Sequence, residues 1–595
     1  MIRSPLPILA ATACAFALVL TGCGGGKNDS SKSPSKIGGD AKESITTAQN
    51  VKAEQSLLGG AESAGAQADS YVPEGDIVAD NGFRPETDGF LFENYGNDVG
   101  PVNLRPIEVE QLFGEQVCLN GTGSSCQLIP AAQRWMENQN ARMDGGHCMG
   151  FSVAALRLFS KTLNAKPFGG GATAQFAIVN NQNLQAQIAE DWVYQDLDSV
   201  KSDVLHGTPT EILQSLADAL DAGDETYTLA IFKADYSGGH AITPFAIEDK
   251  GDGLYAMLVY DNNFPGITRA VEVDVNKDTW SYVGGTNPKD LDEVYKGDAK
   301  TQTMSLYPTS PGEGTQPCPF CDGEATGEGD DAVGSVLPKA KRYNEITLGG
   351  DLANHPHLVF TDDKGNQTGI VDGTLKQEIP GVQVVQTFST QNWDSSPEPK
   401  FRVPEGKDFN ITIDGTDLKK KTTAKIDLVG NGLVIAVEEI KLAPGQQDEL
   451  TIPAGYGLVY ESNGAGEATP ELYAGLVSKD AAYQFTVTSL GVKKGSSIGL
   501  LVDKSEHTVV LDSTGSRGSI EKRGFYVLAV AKATENDVSA WATGTLRLDG
   551  TKGEVAAFDY TDIPKAGKPL ELAVGPQDGP FRTVKAPYDK DASEG

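Results

Sequence analysis

Residues 71–308 alternate between segments of helical and of strand periodicity. Three apolar residues at a spacing of three, Val153, Leu156 and Phe159, follow Cys148 along the chain. Two alanines lie beside this apolar row. The spacing predicts a helix that begins at Cys148 and buries one face.

A second helix and three strands are predicted in the next hundred or so residues. Residues 208–211 read Thr-Pro-Thr-Glu, a capping box with proline at the first helical position, and an apolar helical pattern follows. Alternating runs over residues 227–232, 241–247 and 255–260 are separated by glycine and aspartate turns and predict strands. Helices followed by antiparallel strands indicate an α+β domain.

Beyond residue 342 the helical signals nearly vanish and short alternating runs recur. Residues 309–342 are rich in proline, glycine and acidic residues and are predicted to be a linker. The alternating runs after this linker include residues 409–413, 423–428, 433–437, 483–488 and 524–531. About 250 residues of this pattern suit two β-sandwich modules, which we place at residues 343–467 and 468–595. No exact internal repeat accompanies them, so the division rests on length.

The N-terminus has the pattern of an export signal. One basic residue precedes an apolar run over residues 6–20, and Leu-Thr-Gly-Cys closes the run. This segment resembles a bacterial lipoprotein signal, so residues 1–22 are predicted to be a signal peptide and Cys23 to carry the lipid. Residues 23–70 are polar and predict a disordered tether. We therefore expect an extracytoplasmic protein, lipid-anchored to a bacterial outer membrane or cell surface.

Composition narrows the classes of partner. The 595 residues include 82 acidic and 49 basic side chains, which give a formal net charge of −33. Phosphates would meet a repulsive field, so the chain is not expected to bind nucleic acid. The 68 glycines show no period of three, which favours turn-rich β-structure over a collagen-like chain.

Counting and pairing the cysteines leaves one thiol without a predicted disulfide partner. Seven cysteines occur, at positions 14, 23, 118, 126, 148, 318 and 321. The first leaves with the signal peptide and the second carries lipid. Two local disulfides are predicted, Cys118 with Cys126 and Cys318 with Cys321, because paired cysteines oxidise outside the cytoplasm. A four-cysteine zinc site, crossed pairing and free thiols are the alternatives. The local pairing leaves Cys148 unpaired.

Cys148 stands where a nucleophile would. It follows two glycines and a histidine at the start of the predicted helix, where free backbone amides and the helix dipole stabilise a thiolate. His240 opens a predicted strand behind two glycines, which leave the imidazole accessible. Asp261 follows the next strand and comes level with His240 if the two strands pair antiparallel. A carboxylate there would orient the ring and support the imidazolium.

This order of cysteine, histidine and acidic residue resembles the papain-like cysteine peptidases. Residues 148–156, Cys-Met-Gly-Phe-Ser-Val-Ala-Ala-Leu, are similar to the catalytic helix of that superfamily. Gly-Gly-His-Ala at residues 238–241 is similar to its histidine strand. The resemblance covers roughly residues 133–274. It implies a helical and a β-rich subdomain with the active site in the cleft between them.

Two positions depart from the pattern of the superfamily. Asp261 stands where papain itself carries asparagine, and Asn262 and Asn263 are alternatives for that role. The oxyanion glutamine of the superfamily lies six residues before the cysteine, where this chain has Arg142. A longer loop would let Gln139 serve as the oxyanion candidate, with Asn140 as the alternative, beside the backbone amide of the cysteine.

The other histidines are predicted to be structural, and no metal or cofactor is expected. His147, beside the cysteine, is expected to point away from it. His355 and His357 share a strand face, but no carboxylate neighbour accompanies them in the sequence. Residues 274–278 imitate the start of a calcium loop without its glycine and distal glutamate, so a turn is predicted. Partners that would mark a functional histidine are lacking around His206 and His507.

Three functions fit these features. The first is a surface-tethered thiol hydrolase that cleaves peptide or isopeptide bonds of a peptide or protein substrate through an acyl-thioester on Cys148, with His240 and Asp261. The second is a non-enzymatic binding or adhesion protein that uses the papain-like domain as a scaffold. The third is acyl transfer to an amine by the same triad. An intact Cys-His-Asp set favours an enzyme over a scaffold.

Overall fold

The computed structural model describes most of the chain between residues 68 and 586. The described residues are 68–234, 238–283, 292–321, 343–388, 398–430, 432–453, 457–465, 468–478, 481–489, 492–513, 524–534, 537–542, 546–548, 553–562 and 568–586. The predicted signal peptide, Cys23 and the predicted tether as far as residue 67 lie outside these ranges. Residues 322–342 of the predicted linker also lie outside them.

Seven α-helices lie within the described part of the N-terminal region. They are α1 Pro85–Asp88, α2 Pro106–Phe113, α3 Pro130–Arg142, α4 Cys148–Ser160, α5 Gln182–Trp192, α6 Asp198–Ser202 and α7 Pro209–Ala222. Four of them begin with proline, whose fixed φ suits the first helical position. The predicted helix starts at Cys148 and after Thr208 are both confirmed. Among the described helices, none combines the length and apolar character needed to cross a membrane.

The described part of the N-terminal region has eleven strands, nine of which form one antiparallel sheet. They are β1 Asp76–Asp80, β2 Cys118–Asn120, β3 Gln127–Leu128, β4 Leu205–His206, β5 Tyr227–Phe232, β6 Gly239–Gly251, β7 Leu254–Tyr260, β8 Thr268–Asp274, β9 Thr279–Val283, β10 Val294–Asp298 and β11 Met304–Pro308. The sheet order is β10-β9-β8-β7-β6-β5-β11-β4, with β1 beside β6, while β2 and β3 form a separate hairpin. The three predicted strands are confirmed as β5, β6 and β7.

Helices cover both faces of this sheet. Leu229 and Ile242 pack in one core with the apolar side of α7. Their neighbours along the strands, Ala230 and Ala241, pack in another core with Cys148. Because successive strand residues point to opposite faces, α4 and α7 lie on opposite sides of the sheet. The N-terminal region is therefore an α+β layered fold with Cys148 at the helix-sheet boundary.

The region after residue 342 is built from strands. They are β12 Tyr343–Gly350, β13 His357–Thr361, β14 Gln367–Val371, β15 Thr374–Gln377, β16 Gln383–Val385, β17 Lys400–Pro404, β18 Phe409–Asp414, β19 Thr422–Gly430, β20 Leu433–Leu442, β21 Gln447–Ile452, β22 Gly457–Ser462, β23 Glu471–Ser478, β24 Ala481–Ser489, β25 Ser496–Asp503, β26 Thr508–Asp512, β27 Gly524–Thr534, β28 Asp537–Ala542, β29 Leu546–Leu548, β30 Glu554–Asp559, β31 Leu570–Pro576 and β32 Arg582–Ala586. One sheet has the order β16-β17-β12-β19-β20-β23-β24-β27-β28, with β29 beside β27. The other has the order β15-β14-β13-β18-β21-β22-β25-β26-β30-β31-β32.

Both sheets continue across the predicted module boundary between residues 467 and 468. In the first sheet β20 pairs with β23, and in the second β22 pairs with β25. Apolar residues from Ile346 to Ala586 form one core between the sheets. The division into separate modules at 343–467 and 468–595 is thus corrected to one wide sandwich, because strands on the two sides of the boundary satisfy each other's backbone groups.

The start of the predicted linker belongs to the packed structure. Cys318 and Cys321 form a disulfide, and Phe320 between them is buried against Phe113 and Trp135, with ring centroids 5.2 and 5.3 Å away. The Gly432 amide donates a hydrogen bond to the Phe320 carbonyl, at 2.6 Å. This segment therefore connects the helical layer to the sandwich.

Buried charges tie the sandwich to the helical layer. The Lys400 ammonium, at the start of β17, pairs with Asp196 and lies 3.4 Å from a Glu345 carboxylate oxygen. The Arg142 guanidinium donates to the Thr387 hydroxyl and to the Glu398 carbonyl, at 2.8 and 2.7 Å. Because buried charges need partners, this interface holds the two regions in one arrangement.

Candidate active site

Cys148 occupies the first position of α4, and close helix packing sets its place. A Cβ atom on Gly150 would collide with the Ile188 carbonyl oxygen of α5. Gly146, two residues before the cysteine, has a φ of 127°, which favours glycine. The glycines around the cysteine therefore allow the chain to turn sharply into a helix that lies directly on its neighbour.

His240 is the second residue of β6. Its backbone pairs with Ile231 of β5. Gly239 before it has no room for a side chain, because a Cβ atom there would meet the Phe232 ring and come within 3.3 Å of Phe388. The glycine lets aromatic rings from both regions approach the strand beside the histidine.

Cys148, His240 and Asp261 form a hydrogen-bonded row. The His240 Nε2 atom lies 2.8 Å from Asp261 Oδ1. The same imidazole is hydrogen-bonded to the Cys148 thiol. Since Nε2 faces the carboxylate, Nδ1 is the ring nitrogen left for the sulfur. The structure thus brings together the three residues that the sequence singled out.

Asp261 is held by two further donors. The Asn263 amide donates to its Oδ1 atom at 2.8 Å, and the Tyr282 hydroxyl donates to its Oδ2 atom. Tyr282 lies in β9 and was not predicted from the sequence. The contact of Tyr282 with Asp261 depends on the pairing of β7, β8 and β9, which no local sequence motif indicates.

Electrostatics keep a proton on the imidazole. Burial lowers the pKa of His240, but the charge and hydrogen bond of Asp261, with a smaller contribution from Cys148, outweigh it and raise the pKa to about 10. Burial raises the pKa of Asp261, yet the imidazolium and the hydrogen bonds from Tyr282 and Asn263 bring it below its ordinary value. The row therefore presents a positively charged imidazole to the thiol at neutral pH.

Asn262 and Asn263, the two alternatives for the residue that contacts His240, make different contacts. The Asn262 amide nitrogen donates to the Cys148 carbonyl at 3.2 Å and to the Ala241 carbonyl at 2.9 Å, so it ties α4 to β6. Asn263 contributes its backbone amide to the carboxylate. Asp261 is accordingly the acidic residue in contact with the histidine.

His147 points away from the site, as the sequence analysis expected. Its ring nitrogens lie 2.7 Å from the Tyr95 carbonyl and 3.0 Å from Asn103 Oδ1. Burial lowers its pKa to about 4, against the raising effect of the Tyr95 carbonyl. It therefore serves as a neutral structural residue.

Helix α3 holds Gln139 and Asn140, the two predicted alternatives for the oxyanion role, and Arg142, which stands where the superfamily has its glutamine. Arg142 is engaged by the sandwich, and Asn140 exchanges hydrogen bonds with the Leu104 backbone at 2.9 and 3.0 Å. Gln139 is buried, and within the described part of the chain its Oε1 atom has no hydrogen-bond partner. Because Asn140 is engaged by Leu104, Gln139 stays the candidate of the two.

The thiol and the imidazole are closed off from solvent. Cys148 and His240 both have 0% exposure. Phe388, which follows β16, is buried in the same core as the cysteine and stacks on Phe232 with ring centroids 4.7 Å apart. A substrate carbonyl can reach the sulfur only after the packing around the site opens.

The predicted cysteine pairs lie at disulfide distance. Cα atoms are 5.3 Å apart in the Cys118–Cys126 pair and 5.5 Å apart in the Cys318–Cys321 pair. Cys148 is the free cysteine of the described residues, and it is buried. This leaves a single thiol for chemistry in the folded part.

Outside this row, one prediction about the histidines needs correction. His355 and His357 do have a carboxylate neighbour, because His357 Nδ1 lies 2.8 Å from Glu398 Oε2. Glu398 stands 41 residues further along the chain, so sequence proximity did not reveal it. By contrast, residues 274–278 form the predicted turn, in which the Asp274 carboxylate accepts from two following backbone amides.

Comparison of the chain with protein-family models, with curated proteins and with solved structures gave no match. The functional argument therefore starts from the geometry of the site.

Proposed function

We propose that this chain is a thiol hydrolase of the papain-like cysteine peptidase type, which cleaves peptide or isopeptide bonds. The observation that carries the proposal is the buried row from the Cys148 thiol through His240 to Asp261. A helix start supplies the sulfur and a strand of the facing sheet supplies the base, in the chain order of that superfamily. A cysteine that only packed in the core would need neither an imidazole hydrogen-bonded to its thiol nor a carboxylate hydrogen-bonded to that imidazole.

The proposed reaction uses the charged state of the row. The Cys148 thiolate attacks the substrate carbonyl carbon, and the protonated His240 gives its Nδ1 proton to the leaving amine. The resulting acyl-thioester is attacked by a water molecule whose proton passes to His240, which releases the acid and restores the thiol pair. Asp261 orients the ring and stabilises its positive charge throughout.

Backbone amides of α4 support the oxyanion in this scheme. The first amides of a helix have no carbonyl partner within it, so the Cys148 amide is placed to donate to the developing negative charge. Gln139, with its buried side chain, is the candidate for a second donor. Removing one such donor typically costs about 100- to 1000-fold in turnover.

The competing function is a non-enzymatic scaffold, and the closure of the site favours it. With Cys148 at 0% exposure, the arrangement described here would suit a protein that keeps the row as part of its core. The two functions differ in whether the thiol becomes reactive toward a substrate-like electrophile while the chain stays folded.

Labelling with a peptidyl epoxide tests the proposal. We expect mass spectrometry of the wild-type chain to show labelling at Cys148, and the His240→Ala variant to show at least a tenfold loss. The matched control is His507→Asn, at a partly exposed turn with φ of 53°, which asparagine tolerates. Equal labelling in the wild type and in His240→Ala contradicts the proposal. Absence of labelling in both, with iodoacetamide reacting only after unfolding, establishes the scaffold function instead.

A further inference from the structure

The sandwich contains a second cluster of side chains of the types that ligate metal ions, at the point where β13 and β17 begin. His357 opens β13, His355 precedes it by two residues, and Glu398 lies two residues before β17. One ligand atom from each of the three lies within 4.8 Å of the others. The cluster uses no residue of the Cys148 row.

The distances suit a shared ion. Glu398 Oε2 lies 2.8 Å from His357 Nδ1 and 3.8 Å from His355 Nδ1. Ligand atoms at about 2.1 Å from a tetrahedral zinc ion stand about 3.4 Å apart, so the two distances bracket that spacing. His355 Nδ1 also lies 2.9 Å from the Pro356 carbonyl, and side-chain rotations that replace this contact would bring all three atoms to one centre.

Supporting contacts already orient the donors. The Leu358 amide donates to Glu398 Oε1 at 2.8 Å, which leaves Oε2 toward the two imidazoles. The other nitrogen of His357, Nε2, lies 4.0 Å from Asp417 Oδ2. A carboxylate behind a metal-binding imidazole fixes its tautomer and ring orientation. The Asp417 side chain is 64% exposed and needs a rotation that brings Oδ2 from 4.0 Å to hydrogen-bond distance of Nε2 to take that role.

Burial and access both fit a bound cation. The Glu398 side chain has 0% exposure, and a buried carboxylate needs a positive partner. The side chains of His355 and His357 keep 13% and 19% exposure, so an ion can enter from solvent. Mixed imidazole and carboxylate donors favour zinc over magnesium or calcium, which prefer all-oxygen shells.

We infer that His355, His357 and Glu398 bind a divalent transition-metal ion, zinc by preference, with Asp417 orienting His357. The ion would hold the start of β13 to the segment before β17. Through the Glu398 carbonyl, which accepts from Arg142 at 2.7 Å, this site also adjoins the anchor between sandwich and helical layer. Its role is thus to fasten the sandwich at the point where it meets α3.

Titration calorimetry with zinc tests the inference. The untagged full-length chain carries Cys148→Ala in every sample, which removes the thiol as a competing ligand without touching the cluster. We expect one zinc ion per chain, with affinity reduced at least tenfold by His357→Ala and by Glu398→Gln. Asp417→Asn should weaken binding by about 10- to 100-fold, as loss of such orienting partners does elsewhere. His507→Asn should bind as the parent does.

Cobalt absorption and circular dichroism complement the calorimetry. Cobalt bound at this site should give the visible absorption of a tetrahedral nitrogen-oxygen shell. His355→Ala, at a partly exposed position outside the strands, should abolish that spectrum while circular dichroism stays unchanged. Zinc affinity that is the same in the parent and in His355→Ala/His357→Ala overturns the inference. So does a folded parent that takes up no zinc.

Discussion

His240 is enclosed by a carboxylate on one side and a thiol on the other, and this position governs its proton. A histidine with only burial around it would be neutral, as His147 is. The carboxylate of Asp261 reverses that outcome because it lies 2.8 Å from Nε2 and is itself stabilised by Tyr282. The two buried histidines therefore differ in protonation because His240 has the Asp261 carboxylate as a partner.

The pH dependence of thiol reactivity should report this proton. Because the protonated His240 supplies the proton that the epoxide oxygen takes up as its ring opens, alkylation of Cys148 by the peptidyl epoxide should fall as pH rises through about 10, the pKa of His240. In Asp261→Asn the charge that raises this pKa is gone, so the fall should begin at lower pH. Rates of labelling measured from pH 5 to 11 check this. A fall at the same pH in both variants would contradict the assigned role of Asp261.

The same pair sets a window of stability. Because the folded-state pKa of His240 lies above its ordinary value of 6.5, its contribution is complete below that pH and is lost as pH rises through about 10. Because the pKa of Asp261 lies below its ordinary value of 3.8, its contribution is present above that pH and is lost as pH falls through the folded value. The pair therefore stabilises the chain between these limits.

Local signals explain why the row of Cys148, His240 and Asp261 was predictable and contacts between distant strands were not. Cys148 starts an apolar helix, His240 follows two glycines, and Asp261 ends a strand, so each has a marker within a few residues. Tyr282 and Glu398 reach their partners only through the pairing of strands distant in sequence. Such pairing depends on tertiary packing, which local periodicity does not encode.

At the scale of elements, two of the helices and several of the strands followed from the sequence, whereas the grouping of the strands did not. Alternation within β20 predicts a strand but not that it pairs with β23 across residue 467. An edge strand with a compatible neighbour satisfies its backbone groups by continuing the sheet. For this reason, length alone divided the sandwich in the wrong place.

Phe388 should control access to the thiol. It follows β16, stacks on Phe232 of β5 and lies beside the strand that carries His240. Phe388→Ala should lower the free energy of unfolding by about 3–5 kcal/mol, since it empties buried volume. It should also speed iodoacetamide labelling of Cys148 in the folded chain. Urea unfolding and labelling kinetics measure the two effects.

The control for this prediction is Phe360→Ala, which empties a similar volume deep in the sandwich core. That variant should lose comparable stability without exposing Cys148. Equal acceleration in both variants would mean that general destabilisation, not the removal of a cover, exposes the thiol.

On the scale of the whole molecule, one wide sandwich packs against the layered region that holds the Cys148 thiol. The whole chain has a net charge of −33, which disfavours acidic partners. With Lys400 and Arg142 buried between the two regions, the chain behaves as one unit instead of two independent modules.

Attachment at Cys23 should decide where this unit resides. Cys23→Ala removes the thiol that the lipoprotein signal presents for acylation, so we expect the variant to leave the membrane fraction while folding normally. Metabolic labelling with a palmitate analogue, followed by membrane fractionation, checks this. Cys148→Ala, which keeps the signal intact, should stay with the membrane. Wild-type chain without label would exclude lipid attachment.

The contact between Arg142 and Glu398 has a consequence for how the chain is made. The two residues are 256 positions apart, yet the buried guanidinium depends on the Glu398 carbonyl and the Thr387 hydroxyl. During synthesis from the N-terminus, the helical layer is complete long before these acceptors emerge. The last turn of α3, which carries Arg142, lacks its hydrogen-bond acceptors until the Thr387 and Glu398 segments have been synthesised. Maturation of the thiol site is therefore coupled to completion of the sandwich, so that an interrupted chain yields an immature site.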